Sequence, residues 1–156
     1  MTHKKQPLDT LIIKRTFSAT IERVFDAWTK PEILANWFGP EGFEVVHSEV
    51  NANAGGRYDI QICSPDNQVI RHFGTYLEVS RPLKLVFTWM LENQACRGSE
   101  GLCTETLVSI NFQQVGQLTE ITLTHEQLPN KQALDGHMFG WESSLNSLTN
   151  YFLNDA

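Results

Sequence analysis

Apolar residues near the C-terminal end recur with the period of an α-helix. No proline interrupts residues 131–153, and the apolar positions follow one another at steps of four and three: Leu134, Met138, Trp141, Leu145, Leu148 and Phe152. This spacing places all six side chains on one stripe of a long helix. Because such a stripe is stable only when another layer of structure covers it, the helix must pack against the rest of the chain.

The rest of the chain alternates apolar and polar positions with the period of β-strands. Turn-forming residues at 55–56, 65–67 and 116–117 join consecutive strands, which predicts an antiparallel meander. Gly74 lies inside one of the strands and marks a bulge or a close approach of two backbones. The predicted strands are 8–17, 43–50, 57–63, 69–79, 83–91, 104–113 and 118–125.

Two short helices are predicted between the first and second strands. Ser18 is the candidate N-cap of the first helix, with Glu22 in its first turn, and Pro31 opens the second. The order of these strands and helices along the chain predicts one α+β domain, in which a seven-stranded antiparallel sheet curves around the long C-terminal helix. We expect residues 1–7 to be a disordered N-terminal tail and residues 8–156 to form the domain.

Several short motifs follow one another in a fixed order between residues 10 and 153. They are 17–28, 31–32 with 37–40, 55–58, 74–76 with 82–89, 119–125, and Gly140-Trp141 with Leu145 and Leu148. Together they resemble the activator of heat shock protein 90 ATPase homologue-like family of the START/Bet v 1-like (SRPBCC) superfamily. The resemblance implies a helix-grip fold with a space between sheet and helix for a small hydrophobic ligand, a lipid or a metabolite. It also implies two alternatives: a stress-related co-chaperone that binds a chaperone partner, and a cyclase- or hydrolase-like enzyme.

Charge and hydropathy exclude several other kinds of partner. The 156-residue chain has a net charge of −6, whereas nucleic-acid binding requires a basic surface. No apolar run approaches the ~20 residues of a membrane-spanning helix, so membrane insertion is not expected. The polar start lacks the apolar stretch of a signal peptide, which favours a cytoplasmic location. We expect a monomer or a weak homodimer.

Cysteine and histidine spacing gives no indication of a metal or a cofactor. The three cysteines Cys63, Cys96 and Cys103 form no CxxC pair, and the sequence contains neither HxxxH nor HExxH. Reduced thiols are expected, with a bridge between Cys96 and Cys103 as the alternative. The glycine pair at 55–56 precedes a strand rather than a helix, so a tight turn is expected there instead of a phosphate-binding loop.

Aromatic residues are the strongest candidates for a ligand-binding site, although the same residues also fill ordinary cores. Strand parity points Tyr58 and His125 inward, and together with Trp89 they are expected to supply the polar groups; an enzyme would need a pair such as His125 and Tyr58 to converge on the cavity. His137 is expected to border the opening. No residue is assigned a catalytic role. The predicted ligand-binding residues are Trp37, Phe38, Phe43, Tyr58, Phe73, Phe87, Trp89, His125, Met138, Trp141 and Leu145.

Overall fold

The computed structural model of the chain describes residues 9–92 and 104–154. The predicted N-terminal tail and both Cys96 and Cys103 lie outside these residues. The elements are β1 (Asp9–Phe17), α1 (Ile21–Thr29), α2 (Pro31–Leu34), β2 (Glu44–Val50), β3 (Arg57–Cys63), β4 (Val69–Ser80), β5 (Lys84–Glu92), β6 (Thr106–Val115), β7 (Leu118–Leu128) and α3 (Lys131–Asn154).

All seven strands form one antiparallel sheet in the order β1-β7-β6-β5-β4-β3-β2. Strands β2 to β7 are a simple meander, and β1 pairs with the last strand instead of with its neighbour in sequence. Register shifts interrupt β1, β2 and β4, and such irregularities bend a sheet. The predicted seven-stranded α+β architecture is therefore confirmed.

The long helix α3 packs its apolar stripe on the inner face of the sheet. Leu145 and Leu148 have no solvent exposure, and the ring of Phe152 lies 5.8 Å from that of Phe17 at the end of β1. Leu134 and Met138, in the first part of the helix, are only half-buried. The helix is thus held most tightly at its C-terminal half, and its first part covers a less filled region.

The N-cap of α1 corrects one local prediction. Thr20, not Ser18, caps the helix: its backbone is extended, and its hydroxyl accepts a hydrogen bond from the Arg23 amide at 3.4 Å. The helix begins at Ile21, so the cap must stand at position 20, three residues before the amide that it satisfies. Within the part of the chain that the structure describes, no helix is long and apolar enough to cross a membrane.

Candidate ligand-binding cavity

A cavity of about 240 Å³ lies between the first part of α3 and the inner face of strands β3, β4 and β5. The segment that follows α2 closes one end of it. Among residues 9–92 and 104–154, the wall is mostly aromatic or aliphatic, with two histidines and one serine, and none of its residues is Lys, Arg, Asp or Glu. The wall is formed by Phe38, Gly39, Pro40, Ile62, Ile70, His72, Trp89, Leu91, Gly136, His137, Gly140, Trp141 and Ser144.

Three of the predicted ligand-binding residues, Phe38, Trp89 and Trp141, lie on this wall, and so does His137. The ring centroids of Trp89 and Trp141 are 4.9 Å apart, which joins strand β5 to helix α3 at the base of the cavity. Ring pairs at this separation add to the stability of the layer beyond the burial of their surface. Both indoles are buried, so they belong to the core as well as to the cavity wall.

Most of the other predicted residues fill the core instead of lining the cavity. Trp37 is buried beside Phe38, and its Nε1 donates to the Ala27 carbonyl at 2.9 Å. The rings of Tyr58 and Phe87 pack edge to face, with their centroids 5.5 Å apart. The remaining ones besides Phe73 are His125 and Leu145, which are fully buried, and Phe43 and Met138, which are half-buried against the core.

Phe73 lies on the opposite face of the sheet, so its assignment to the cavity is wrong. Its ring packs under the guanidinium of Arg71, 4.1 Å away, on the outer surface. The neighbouring residue His72 is buried on the inner face, opposite Ile60 of β3. Because side chains alternate along a strand, the inward position of His72 requires Phe73 to point outward.

A chain of hydrogen bonds connects Trp141 of helix α3 to the sheet. Trp141 Nε1 donates to His125 Nδ1 at 3.0 Å, and His125 Nε2 lies 2.7 Å from the hydroxyl of Thr106. That hydroxyl donates to the carbonyl of Trp89 at 3.0 Å. The hydroxyl has one proton and gives it to the carbonyl, so His125 is neutral with its proton on Nε2.

A second chain starts from the other indole of the wall. Trp89 Nε1 donates to His137 Nε2 at 3.2 Å, and His137 Nδ1 lies 2.8 Å from the Ala133 carbonyl. The indole has only a proton to give and the carbonyl only lone pairs, so His137 is neutral with its proton on Nδ1. Both histidines therefore act as acceptors for tryptophan N–H groups.

Burial keeps the three histidines around the cavity uncharged. It lowers the pKa of His125 to about 3, with nearby His137 adding to the effect. Burial also lowers the pKa of His137 itself, against the opposing hydrogen bond to Ala133. The pKa of His72 falls to about 4, again through burial first, partly offset by the nearby backbone of Ile60 and reinforced by His137. Each of these side chains is therefore a weak base that is neutral at pH 7.

His72 and Ser144 are the two polar wall residues that the sequence predictions missed. His72 is only 7% exposed, and its Nδ1 is one of two buried side-chain polar atoms without a hydrogen-bond partner in the described residues; the other is Trp28 Nε1. Ser144 is 5% exposed. The alternation that places Tyr76 inward also places His72 inward, so the sequence did contain a signal for this histidine.

The predicted polar pair for an enzyme does not converge on the cavity. The Tyr58 hydroxyl donates to the Thr88 carbonyl at 2.6 Å, and both ring nitrogens of His125 are occupied as described above. Neither residue is part of the wall. Across residues 9–92 and 104–154, no group of three or more His, Cys, Asp or Glu side chains is placed to hold a metal ion.

A curved antiparallel sheet that closes on a terminal helix, with a cavity between them, defines the helix-grip class of START/Bet v 1-like proteins. The family model for the Activator of Hsp90 ATPase homolog 1-like protein matches residues 18–153. The chain therefore belongs to this family, as the motifs indicated. None of the curated proteins compared with the chain matches it.

Solved structures of bacterial proteins share the fold over nearly the whole chain. A Staphylococcus epidermidis protein is 28% identical with a TM-score of 0.78, and the match covers 100% of this chain and 96% of that one. A Chromobacterium violaceum protein is 26% identical, with a TM-score of 0.80 and coverages of 92% and 96%. The AHSA1 protein of Silicibacter pomeroyi is 23% identical, with a TM-score of 0.83 and coverages of 95% and 100%, and supports the fold alone.

Proposed function

We propose that this protein binds a small hydrophobic molecule non-covalently in the cavity between α3 and the sheet. The observation that carries the proposal is the cavity itself: about 240 Å³ of space walled by Phe38, Trp89 and Trp141. An engineered cavity of about 150 Å³ elsewhere holds benzene, and pockets for drug-sized molecules begin at about 300 Å³. The ligand would therefore have the size of a substituted aromatic ring or a short acyl chain.

The removal of apolar surface from water would supply most of the binding free energy. The wall offers large, flat, rigid rings, which give contact area with little loss of side-chain freedom. A ligand of about eight heavy atoms is expected to bind with a dissociation constant on the order of 0.1 mM, which corresponds to about 0.7 kcal/mol per heavy atom and lies well below the ceiling of about 1.5 kcal/mol.

Ethylbenzene is a suitable probe because it tests the cavity without any polar contact. In a 1H–15N NMR titration of the native protein, we expect the indole N–H resonances of Trp89 and Trp141 to move with added ethylbenzene, since both rings lie on the wall. Gly140→Leu should abolish this response. Gly140 is a wall residue with no atom within 4 Å of an added Cβ, so a larger side chain there can occupy the cavity.

Phe139→Leu is the matched control, because it places the same new residue one position earlier on a side chain that is 71% exposed. This variant should bind ethylbenzene like the native protein. Circular dichroism and the thermal midpoint establish that both variants fold. Absence of any titration response in the native protein, or equal binding by folded Gly140→Leu, would contradict the proposed function.

The alternatives implied by the family stay predictions. A chaperone-binding role requires a contiguous exposed patch, and the exposed large apolar side chains of the described residues are distributed over β1, β2, β4, the turn before β5, the end of β6, the start of β7, and α3. Enzymatic activity, the cytoplasmic location and the monomeric or weakly dimeric state are likewise predictions from the sequence.

A further inference from the structure

We propose that the ligand carries an unbranched hydrocarbon chain, and that it lies along helix α3 with one end beside Ser144 and the other beside Gly136. This inference rests on the proposed function and specifies the shape of molecule that the cavity accepts. Three features carry it: a strip of bare backbone on α3, a gradient of burial along both walls, and a set of packed rings at the inner end.

Helix α3 lines the cavity along a strip that lacks bulky side chains. Gly136, Gly140 and Ser144 are all wall residues, and steps of four positions place them on one side of the helix. This length of helix extends over about 12 Å, so the strip is longer than an aromatic ring is wide. Nothing lies within 4 Å of a Cβ added at either glycine, so the backbone there borders open space. Such a strip fits a chain that runs parallel to the helix.

The burial of the wall decreases along this strip. On α3, Ser144 is 5% exposed, Gly140 is half-buried and Gly136 is exposed. The strand side shows the same gradient, since Trp89 is 6% exposed and Leu91 is half-buried. These two residues lie two positions apart on β5, so both point to the inner face of the sheet. Each wall therefore has one closed end and one open end.

The path of α3 places the two open ends together. Near the end of the helix, Phe152 packs on Phe17, which pairs with Thr119 near the start of β7. In the antiparallel sheet, the start of β7 and the start of β5 lie at the same end. The first turns of α3 therefore lie over the end of β5, and Gly136 and Leu91 border one mouth of the cavity.

The inner end of the cavity is narrow because its rings pack against one another. The Trp89 ring lies 4.9 Å from that of Trp141 and 6.1 Å from that of Phe38, and its Nε1 donates to His137. All three rings are buried. Packed interiors resist the insertion of extra methyl groups, so a branched ligand would have to displace a ring. A linear chain can extend toward the open end instead.

The test compares three probes that share one ring: ethylbenzene, butylbenzene and tert-butylbenzene. The last two contain the same number of carbon atoms and differ only in branching. In NMR titrations of the native protein, we expect butylbenzene to bind about 15-fold more tightly than ethylbenzene, because each further buried CH₂ group gives about fourfold. We expect tert-butylbenzene to bind at least about tenfold more weakly than butylbenzene, because its methyl groups meet the packed rings.

A substitution at the open end tests where the chain lies. Gly136→Leu adds a side chain at the mouth and should reduce the preference for butylbenzene over ethylbenzene to less than about threefold. Phe139→Leu places the same residue on an exposed position outside the wall and should keep the full preference. An unchanged preference in folded Gly136→Leu would overturn the inference.

A second measurement applies to the native protein and does not depend on the folding of a variant. We expect nuclear Overhauser effects from the terminal methyl group of butylbenzene to the Hα atoms of Gly136, and from its ring to the indole of Trp141. Binding of tert-butylbenzene as tight as that of butylbenzene would overturn this inference and leave the proposed function intact. If no probe binds, the proposed function itself fails.

Discussion

A change from pH 7 to pH 5 is expected to lower the free energy of unfolding by about 4 kcal/mol through His72 and His125 alone. Burial lowers the pKa of these side chains to about 4 and about 3, against 6.5 in the unfolded chain. The unfolded state therefore takes up protons below pH 6.5 while the folded state does not. Each histidine then costs about 2 kcal/mol at pH 5, and the loss continues until the folded pKa is reached.

The hydrogen bonds of His125 and His137 explain why the folded protein resists protonation. Each of them accepts an indole N–H, from Trp141 and Trp89 respectively. A proton on either accepting nitrogen would place two N–H groups against each other and break the hydrogen bond that this histidine forms between α3 and the sheet. His137, whose pKa burial also lowers, would add to the loss.

Urea denaturation at pH 7, 6 and 5 measures this effect. His72→Phe should reduce the loss by about 2 kcal/mol because one buried base is removed. His47→Asn is the control: His47 lies on the surface beside Glu49 with 41% of its side chain exposed, so this variant should keep the full pH dependence. A total loss below about 1 kcal/mol in the native protein would show that the buried histidines take up protons within the fold.

Gly74→Ala is expected to destabilise the protein by about 3 kcal/mol. A Cβ at this position of β4 would overlap the carbonyl oxygen of Thr88 in β5. That carbonyl also accepts the Tyr58 hydroxyl, and the Thr88 side chain accepts the Thr75 amide at 2.8 Å. The new methyl group can be accommodated only by a shift of β5 that disturbs both hydrogen bonds. The close approach predicted at Gly74 is thus confirmed.

Gly140→Ala is the matched control for this substitution. It adds the same methyl group in helix α3, where nothing lies within 4 Å of the new atom. Alanine is favoured over glycine in a helix interior by about 1 kcal/mol, so this variant should be slightly more stable than the native protein. Chemical denaturation of both variants gives the comparison. Equal effects of the two substitutions would contradict the described packing of β4 on β5.

Periodicity predicted the fold and the orientation of most side chains. Two-residue alternation placed Tyr58 and His125 inward, and the steps of three and four placed Leu145 and Leu148 of α3 on the sheet; all four are buried. These patterns report which face a side chain occupies. They contain no distances, so they did not distinguish the residues that fill the core from those that border empty space.

The errors at the site have a related cause. The ring of Phe73 suggests a ligand contact, but the parity that places Tyr76 inward assigns it to the outer face. His72 has the correct parity, but a single histidine on a strand is an unspecific signal for a ligand site. The link between Trp89 and His137 joins residues 48 positions apart, and its existence depends on the path of α3 over the sheet. No local pattern encodes such a contact.

The central claim is that the first part of α3 and the sheet leave room for a guest molecule. A crystal structure of the native protein soaked with ethylbenzene tests this most directly. Electron density for the ligand ring is expected between Phe38, Trp89 and Trp141. A cavity closed by inward movement of α3, or density for the ligand only at the outer surface, would contradict it.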